Sequence, residues 1–482
     1  MHQDWHWPEP SSSDGNTVIT NVRLAYSNKE QASKAWSIEI HGGRVAKVLP
    51  SVGDDQVGVT PESRDPSTCT VVDAQGGLVL PSDFPEAMRV TKAAKSEFPK
   101  QLEDLYARGA RIIQESVEHG VTAIRAHVEI DTSVGFACLE AALKLQCKYS
   151  AHCDVQIAIF AQEPLFDSVD HQKPGQNFSL LEEAAQRHGV SVVGSAPYVE
   201  PSIEQAKLNI GLIFDVADAR GVDQVDFHLD YNLDPNSEPL IYEVISQAKK
   251  RYQTKRGASD AATRSSSSSS IDVDGVDFDP PNSNDAPISH AKRLRPCPRI
   301  TIGHATRLQL LSAVQWRELV LAISDLPIVL VGLPQSDMYM QGRSSWDDPL
   351  GAPRGTLRVP YLFQKHGIEI AMSVNNVENA FTPQGSLDPL SLCTFGVGVF
   401  QAATPADIRT LARSVTLTSK RAIGQSEIPL DLAPTVGDLA DFVVLHGRSS
   451  LQSAVLNPCF DRTTVKAGRV VACRRSARWL AS

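Results

Sequence analysis

The chain has 482 residues, 42% hydrophobic and 21% charged, the ordinary balance of a soluble globular protein with room for a large domain and an accessory one. Its 46 basic and 56 acidic residues give a net charge of −10, which argues against a general phosphate-backbone binder, so no nucleic-acid partner is expected. No apolar run reaches about 18 residues, which excludes a membrane-spanning helix from the expectation.

The polar stretch 1–16 lacks the apolar centre of a signal peptide and reads as a disordered terminus. The eight cysteines form no CxxC pair, which predicts reduced thiols in a cytoplasmic protein. Apolar and polar residues then alternate through Thr17-Val-Ile-Thr-Asn-Val-Arg-Leu and Trp36-Ser-Ile-Glu-Ile-His, followed by the turn Gly42-Gly43 and Arg44-Val-Ala-Lys-Val, the pattern of a hairpin. Thr70-Val-Val-Asp and Gly77-Leu-Val-Leu-Pro81 continue it. The C-terminal end has the same texture, with Ala440-Asp-Phe-Val-Val-Leu445 and Val465-Lys-Ala-Gly468-Arg-Val-Val-Ala. Two β-rich ends around a long middle suggest one small β domain assembled from both.

The middle alternates between strand and helix. Leu102, Leu105, Tyr106, Ala110, Ile113 and Val117 recur at helical spacing within 84–119. Strand patterns follow at 123–130, 154–162, 190–197, 224–230, 299–304, 327–332 and 369–375, with helical stretches between them. An alternating chain of this length is either a doubly wound sheet or an eight-stranded barrel. The lack of GxGxxG after an early strand, and of a P-loop, weakens the nucleotide-binding alternative. Residues 254–298 break the pattern with six consecutive serines (Ser265 to Ser270), an acidic patch and the basic cluster Lys292-Arg293-Leu-Arg295, and read as a disordered insertion.

The stretch Val225-Asp226-Phe227-His228-Leu229-Asp230-Tyr231-Asn232 carries the strongest chemical signal. Its apolar residues at 225, 227 and 229 mark one face of a strand, and His228 and Asp230 fall on the other. The other strand patterns also end in polar residues: His127 and Glu129, Gln162 and Glu163, Tyr198, His304, and Asn375-Asn376. In a βα barrel those ends carry the chemistry. A single histidine there is more simply a core residue satisfied by a neighbour. His228 and His304 on successive strands are candidate ligands of a divalent metal, since neutral imidazole suits zinc and iron.

The chain resembles the amidohydrolase superfamily of metal-dependent hydrolases, cytosine deaminase among them. The stretches that carry the resemblance are Gly120-Val-Thr-Ala-Ile-Arg-Ala-His-Val, Asp154-Val-Gln-Ile-Ala-Ile-Phe-Ala-Gln-Glu163, Val225–Asp230, Ile302-Gly-His304, Met340-Gln-Gly-Arg343, Asn375 to Gly385, and Asp441 in its β segment. It spans roughly 17–472 apart from the insertion. It implies a TIM-type barrel over 78–423, with a β-sandwich from 17–77 and 424–473. It implies hydrolysis of carbon–nitrogen bonds other than peptide bonds. The substrate would be a small cyclic amide, amidine or nucleobase-like compound, and a homo-oligomer would be compatible with it. The metal would be zinc or iron, on His228 and His304. Substrate contacts would fall on Gln162 and Asp230, and catalytic positions on Asn375 and Tyr231.

Three departures from the family's pattern bear on activity. The His-x-His that should follow a Leu-x-Leu-Pro segment is missing: Leu80-Pro81-Ser82 runs directly into Asp83-Phe-Pro-Glu. The family's metal-binding aspartate is Asn375, and an amide cannot take a proton. The family's proton-shuttling glutamate is Tyr231. The alternative is therefore a catalytically impaired relative, a pseudoenzyme or an incomplete gene model, that binds divalent metal weakly and hydrolyses poorly.

Overall fold

The structure, a computed structural model, describes residues 16–22, 36–41, 44–50, 69–73, 91–92, 94–252, 296–342, 352–477 and 479. Its centre is a parallel sheet of seven strands in sequence order: β5 (Ala123–Glu129), β6 (Asp154–Ala161), β7 (Val190–Ser195), β8 (Gln224–Leu229), β9 (Arg299–His304), β10 (Ile328–Gly332) and β11 (Ile370–Met372). Helices alternate with these strands, as parallel pairing requires. On β8 the alternation read from sequence takes effect: Val225, Phe227 and Leu229 are fully buried under the helices, and the residues between them point the other way.

The curvature of the sheet follows from one side chain. β5 and β9 are four strands apart in hydrogen-bonding order, roughly 19 Å if the sheet were flat. Arg125 on β5 nevertheless donates from Nη1 to Thr301 Oγ1 on β9 at 2.7 Å. The sheet therefore curls about an interior that the guanidinium crosses. This is the wall of a TIM-type barrel, with β5 and β11 at the two edges. The stretch 78–80, at the start of the expected barrel, lies outside the described residues, as does most of the insertion at 254–298.

Local signals set the helix ends. The helix Ile203–Arg220 starts at Ser202, whose hydroxyl accepts from Gln205 N, and ends at Gly221 with φ 72°, a conformation open to glycine. The helix Leu102–Glu118 buries Ala110, Ile113 and Val117 of the expected stripe, while Leu105 and Tyr106 are half-buried and Leu102 at the helix start is exposed. The region 401–422 holds two helices, Pro405–Ser414 and Leu417–Ala422.

The chain ends form two further sheets. One has the order β3–β2–β1–β4, from β1 (Asn16–Val22), β2 (Trp36–His41), β3 (Arg44–Pro50) and β4 (Cys69–Asp73), and β2 and β3 make the expected hairpin. The other has the order β12 (Phe442–Leu445), β13 (Arg462–Lys466) and β14 (Arg469–Arg474). Arg462 fastens this second sheet to the barrel. Its buried guanidinium meets both Asp388 carboxylate oxygens at 2.7 and 2.6 Å and donates to His119 O at 2.9 Å. No helix among the described residues is long and apolar enough to cross a membrane.

Candidate functional site

Alternation by two sends Arg125 and His127 inward from β5, Gln224, Asp226 and His228 from β8, and Thr301 and Gly303 from β9. These residues form a polar column inside the barrel. At its lower end Arg125 uses its whole fork: Nε donates to Gln156, Nη1 to Asp226 and Thr301, and Nη2 to Gln224 and the Ala422 carbonyl. Asp226 Oδ2 accepts from Arg125 at 2.7 Å and lies 3.1 Å from His127 Nε2. Burial pushes this carboxyl up, but His127 and the Arg125 guanidinium outweigh burial and hold it well below the usual carboxylate range.

Above Asp226 stand three imidazoles. His228 is central, its ring centroid 4.9 Å from that of His127 and 5.2 Å from that of His304. Burial holds His228 well below its ordinary pKa, and its two histidine neighbours add to the effect, so it is neutral near pH 7. Its ring lies against the backbone of β9. A Cβ on Gly303 would come within 2.7 Å of His228 Cδ2, so glycine at 303 makes the room. His304 and Ala305, at the end of β9, both take left-handed backbone (φ 65° and 51°), which is uncommon for residues with a side chain. His304 Nδ1 is 2.8 Å from buried Asp337 Oδ1, and the other Asp337 oxygen accepts from Thr356 at 2.7 Å.

The other residues expected at the site are linked to this group by contact. Tyr231 lies across the His304 ring with centroids 4.0 Å apart, and Tyr198 is 5.9 Å from Tyr231. Gln162, just past β6, donates to Tyr198 Oη at 3.3 Å. Asn375 donates from Nδ2 to Ser336, the neighbour of Asp337, at 2.9 Å. Its strand β11 is three residues long, so Asn375 sits in the loop beyond it.

Asp230 goes elsewhere. The strand ends at Leu229, and Asp230 turns into left-handed backbone at φ 55°. Its two oxygens accept from Leu240 N and Ile241 N, at the start of the helix Ile241–Tyr252. Burial pushes its carboxyl up to about 7 against those two hydrogen bonds.

Four residues of this region were not among the expected site residues. Asp226 had a local signal, since it shares the face of His228 two positions earlier. Asp337 and Arg125 find partners 33 and up to 297 residues away in sequence, which no local spacing records. Lys95 precedes the helix Leu102–Glu118. Its buried ammonium contacts Glu129 and Asp131 at 2.7 Å each and Glu163 at 3.0 Å, at the tips of β5 and β6.

No family model matches the chain, and no curated protein does. Solved structures do. 5-Methylcytosine deaminase from Klebsiella pneumoniae liganded with 5-fluorocytosine is similar at a TM-score of 0.62 and 18% identity, over 96% of this chain and 99% of that one. N-isopropylammelide isopropylaminohydrolase from Burkholderia multivorans ATCC 17616 is similar at 0.57 and 18%, over 95% and 99%. The chain shares the fold of these two enzymes.

Proposed function

We propose that the chain is a metal-dependent hydrolase acting on carbon–nitrogen bonds outside peptides, and that its substrate is a small cyclic amide, amidine or nucleobase-like ring. The observation that carries this reading is the convergence of His127, His228 and His304 at the strand ends of the barrel. The donor set suits zinc or iron. His127, Asp226 and His228 each offer a ligand atom, all within 4.8 Å of one another, against ~3.4 Å across a tetrahedral zinc site. We assign metal binding to His228 and His304, with His127 adjoining and Asp226 orienting it. When bound, a divalent ion supplies Lewis acidity at the carbon under attack.

The chain's own groups would do the rest. Gln162 and Tyr198, already hydrogen-bonded to each other, offer amide and hydroxyl contacts to a polar ring. Tyr231, lying along His304, would offer an aromatic face to a planar compound. The cytosine analogue bound by the similar deaminase is a ring of this class. Proton transfer is the weak point. Asn375 cannot accept a proton, Asp230 is engaged by a helix start, and Glu129 is held by Lys95. This supports the second reading, an impaired relative with slow turnover.

Reconstituting the purified chain with zinc or iron, and screening cyclic amides and aminopyrimidines for ammonia release or ring opening, tests both readings. We expect metal-dependent hydrolysis well below the ordinary ~1–10³ per second, because a missing general base is worth roughly 10²–10⁴-fold. Asn375→Asp should raise the rate. An ordinary rate in the unmodified chain, abolished by His228→Ala, would show that the site is not impaired. No hydrolysis in either chain would count against the hydrolase reading.

A further inference from the structure

The carboxylate facing His304 has no part in the reading above, and its geometry is specific. Asp337 lies on the short helix Pro334–Met340 that follows β10, and its side chain is fully buried. One oxygen meets His304 Nδ1 at 2.8 Å, and the other accepts the Thr356 hydroxyl at 2.7 Å. Both oxygens are thus committed, and the carboxylate has no freedom to rotate away from the imidazole. A carboxylate on Nδ1 fixes the proton there, which leaves the lone pair on Nε2, the corner of the ring that points away from Asp337. The backbone supports the same orientation. His304 and Ala305 hold left-handed conformations that an unconstrained chain avoids. Ala305 N is tied to Leu229 O, and Thr306 Oγ1 to the carbonyls of Asp230 and Asn232. The strained corner is therefore clamped from β8 on one side, and its side chain is clamped by Asp337 on the other.

Resting on the metal reading of His304, we infer that Asp337, braced by Thr356, is a positioning residue that presents His304 Nε2 as a ligand to a divalent ion. An outer carboxylate of this kind typically contributes about ten- to a hundredfold in metal affinity, through tautomer, orientation and basicity.

The test is zinc affinity of the purified full-length chain, measured by competition with a chelating dye, with a thermal melt of each variant in parallel. Asp337→Asn keeps the shape and removes the charge, and the Thr356 hydroxyl can turn to accept from the new amide. It is expected to weaken zinc binding about tenfold, and Asp337→Ala by up to about a hundredfold. Thr356→Val should weaken it in the same direction and by less, and it stands in should the Asp337 variants not fold. A merely structural Asp337 would lower the melting temperature and leave zinc affinity of the folded chain unchanged. Zinc affinity within twofold of the parent in all three variants, with His304→Ala weakened, would overturn the assignment to Asp337 alone. An unchanged affinity in His304→Ala as well would overturn the metal reading with it.

Discussion

Lys95→Met is expected to lower the stability of the chain by about 3–5 kcal/mol at pH 7, the usual cost of removing one partner of a buried ion pair. Lys95 and Asp131 are almost fully buried, with side chains 3% and 1% exposed, so neither charge has water to fall back on. Asp131 is also fixed by two backbone hydrogen bonds, from Ser133 and Val134, and cannot swing out to solvent. Glu129 and Glu163 are 31% exposed and contribute less. The pH dependence follows from Glu129, whose pKa burial raises despite Lys95. An acid with a raised folded-state pKa binds its proton better folded than unfolded. Its effect is to lower stability as pH rises through the window above the ordinary carboxylate pKa of ~4.3. Removing the ammonium raises that pKa further. Urea melts should therefore show the deficit of Lys95→Met largest at pH 7 and shrinking toward pH 5. An equal deficit at both pH values would contradict the electrostatic account.

The second large effect is expected at Arg125. Arg125→Met leaves Asp226, 2% exposed, without its guanidinium, and frees acceptors on β6, β8 and the end of the helix Leu417–Ala422. A loss of about 3–5 kcal/mol is expected. Arg125→Lys should recover only part of it, because one ammonium cannot reproduce a fork that reaches five acceptors. Equilibrium unfolding of the two variants measures this. A deficit below about 1 kcal/mol for Arg125→Met would mean that the barrel does not depend on its polar column.

Much of the barrel is legible in the sequence because its strands are buried on both faces or alternate strictly. Val225, Phe227 and Leu229 announce β8, and the runs at Asp154–Ala161 and Ile328–Gly332 announce β6 and β10. β11 is shorter than its pattern, since pairing stops at Met372 and the chain turns toward Ser336. Asp230 illustrates a limit of periodicity. It has the parity of His228, but a left-handed residue ends the strand, and its carboxylate serves a helix start. Asp226, with the same parity, stays in the strand and meets the histidines. Asp337 was not legible because its identity as a partner depends on how a helix after β10 packs beside the end of β9.

The central claim is that the histidines at the strand ends hold a divalent ion, and a calorimetric zinc titration of the purified, metal-stripped chain tests it most directly. The account predicts one saturable zinc site per chain that is lost in His228→Ala, the ring that stands between His127 and His304. A chain that takes up no zinc, or a His228→Ala variant that binds it as tightly as the parent, would contradict the account.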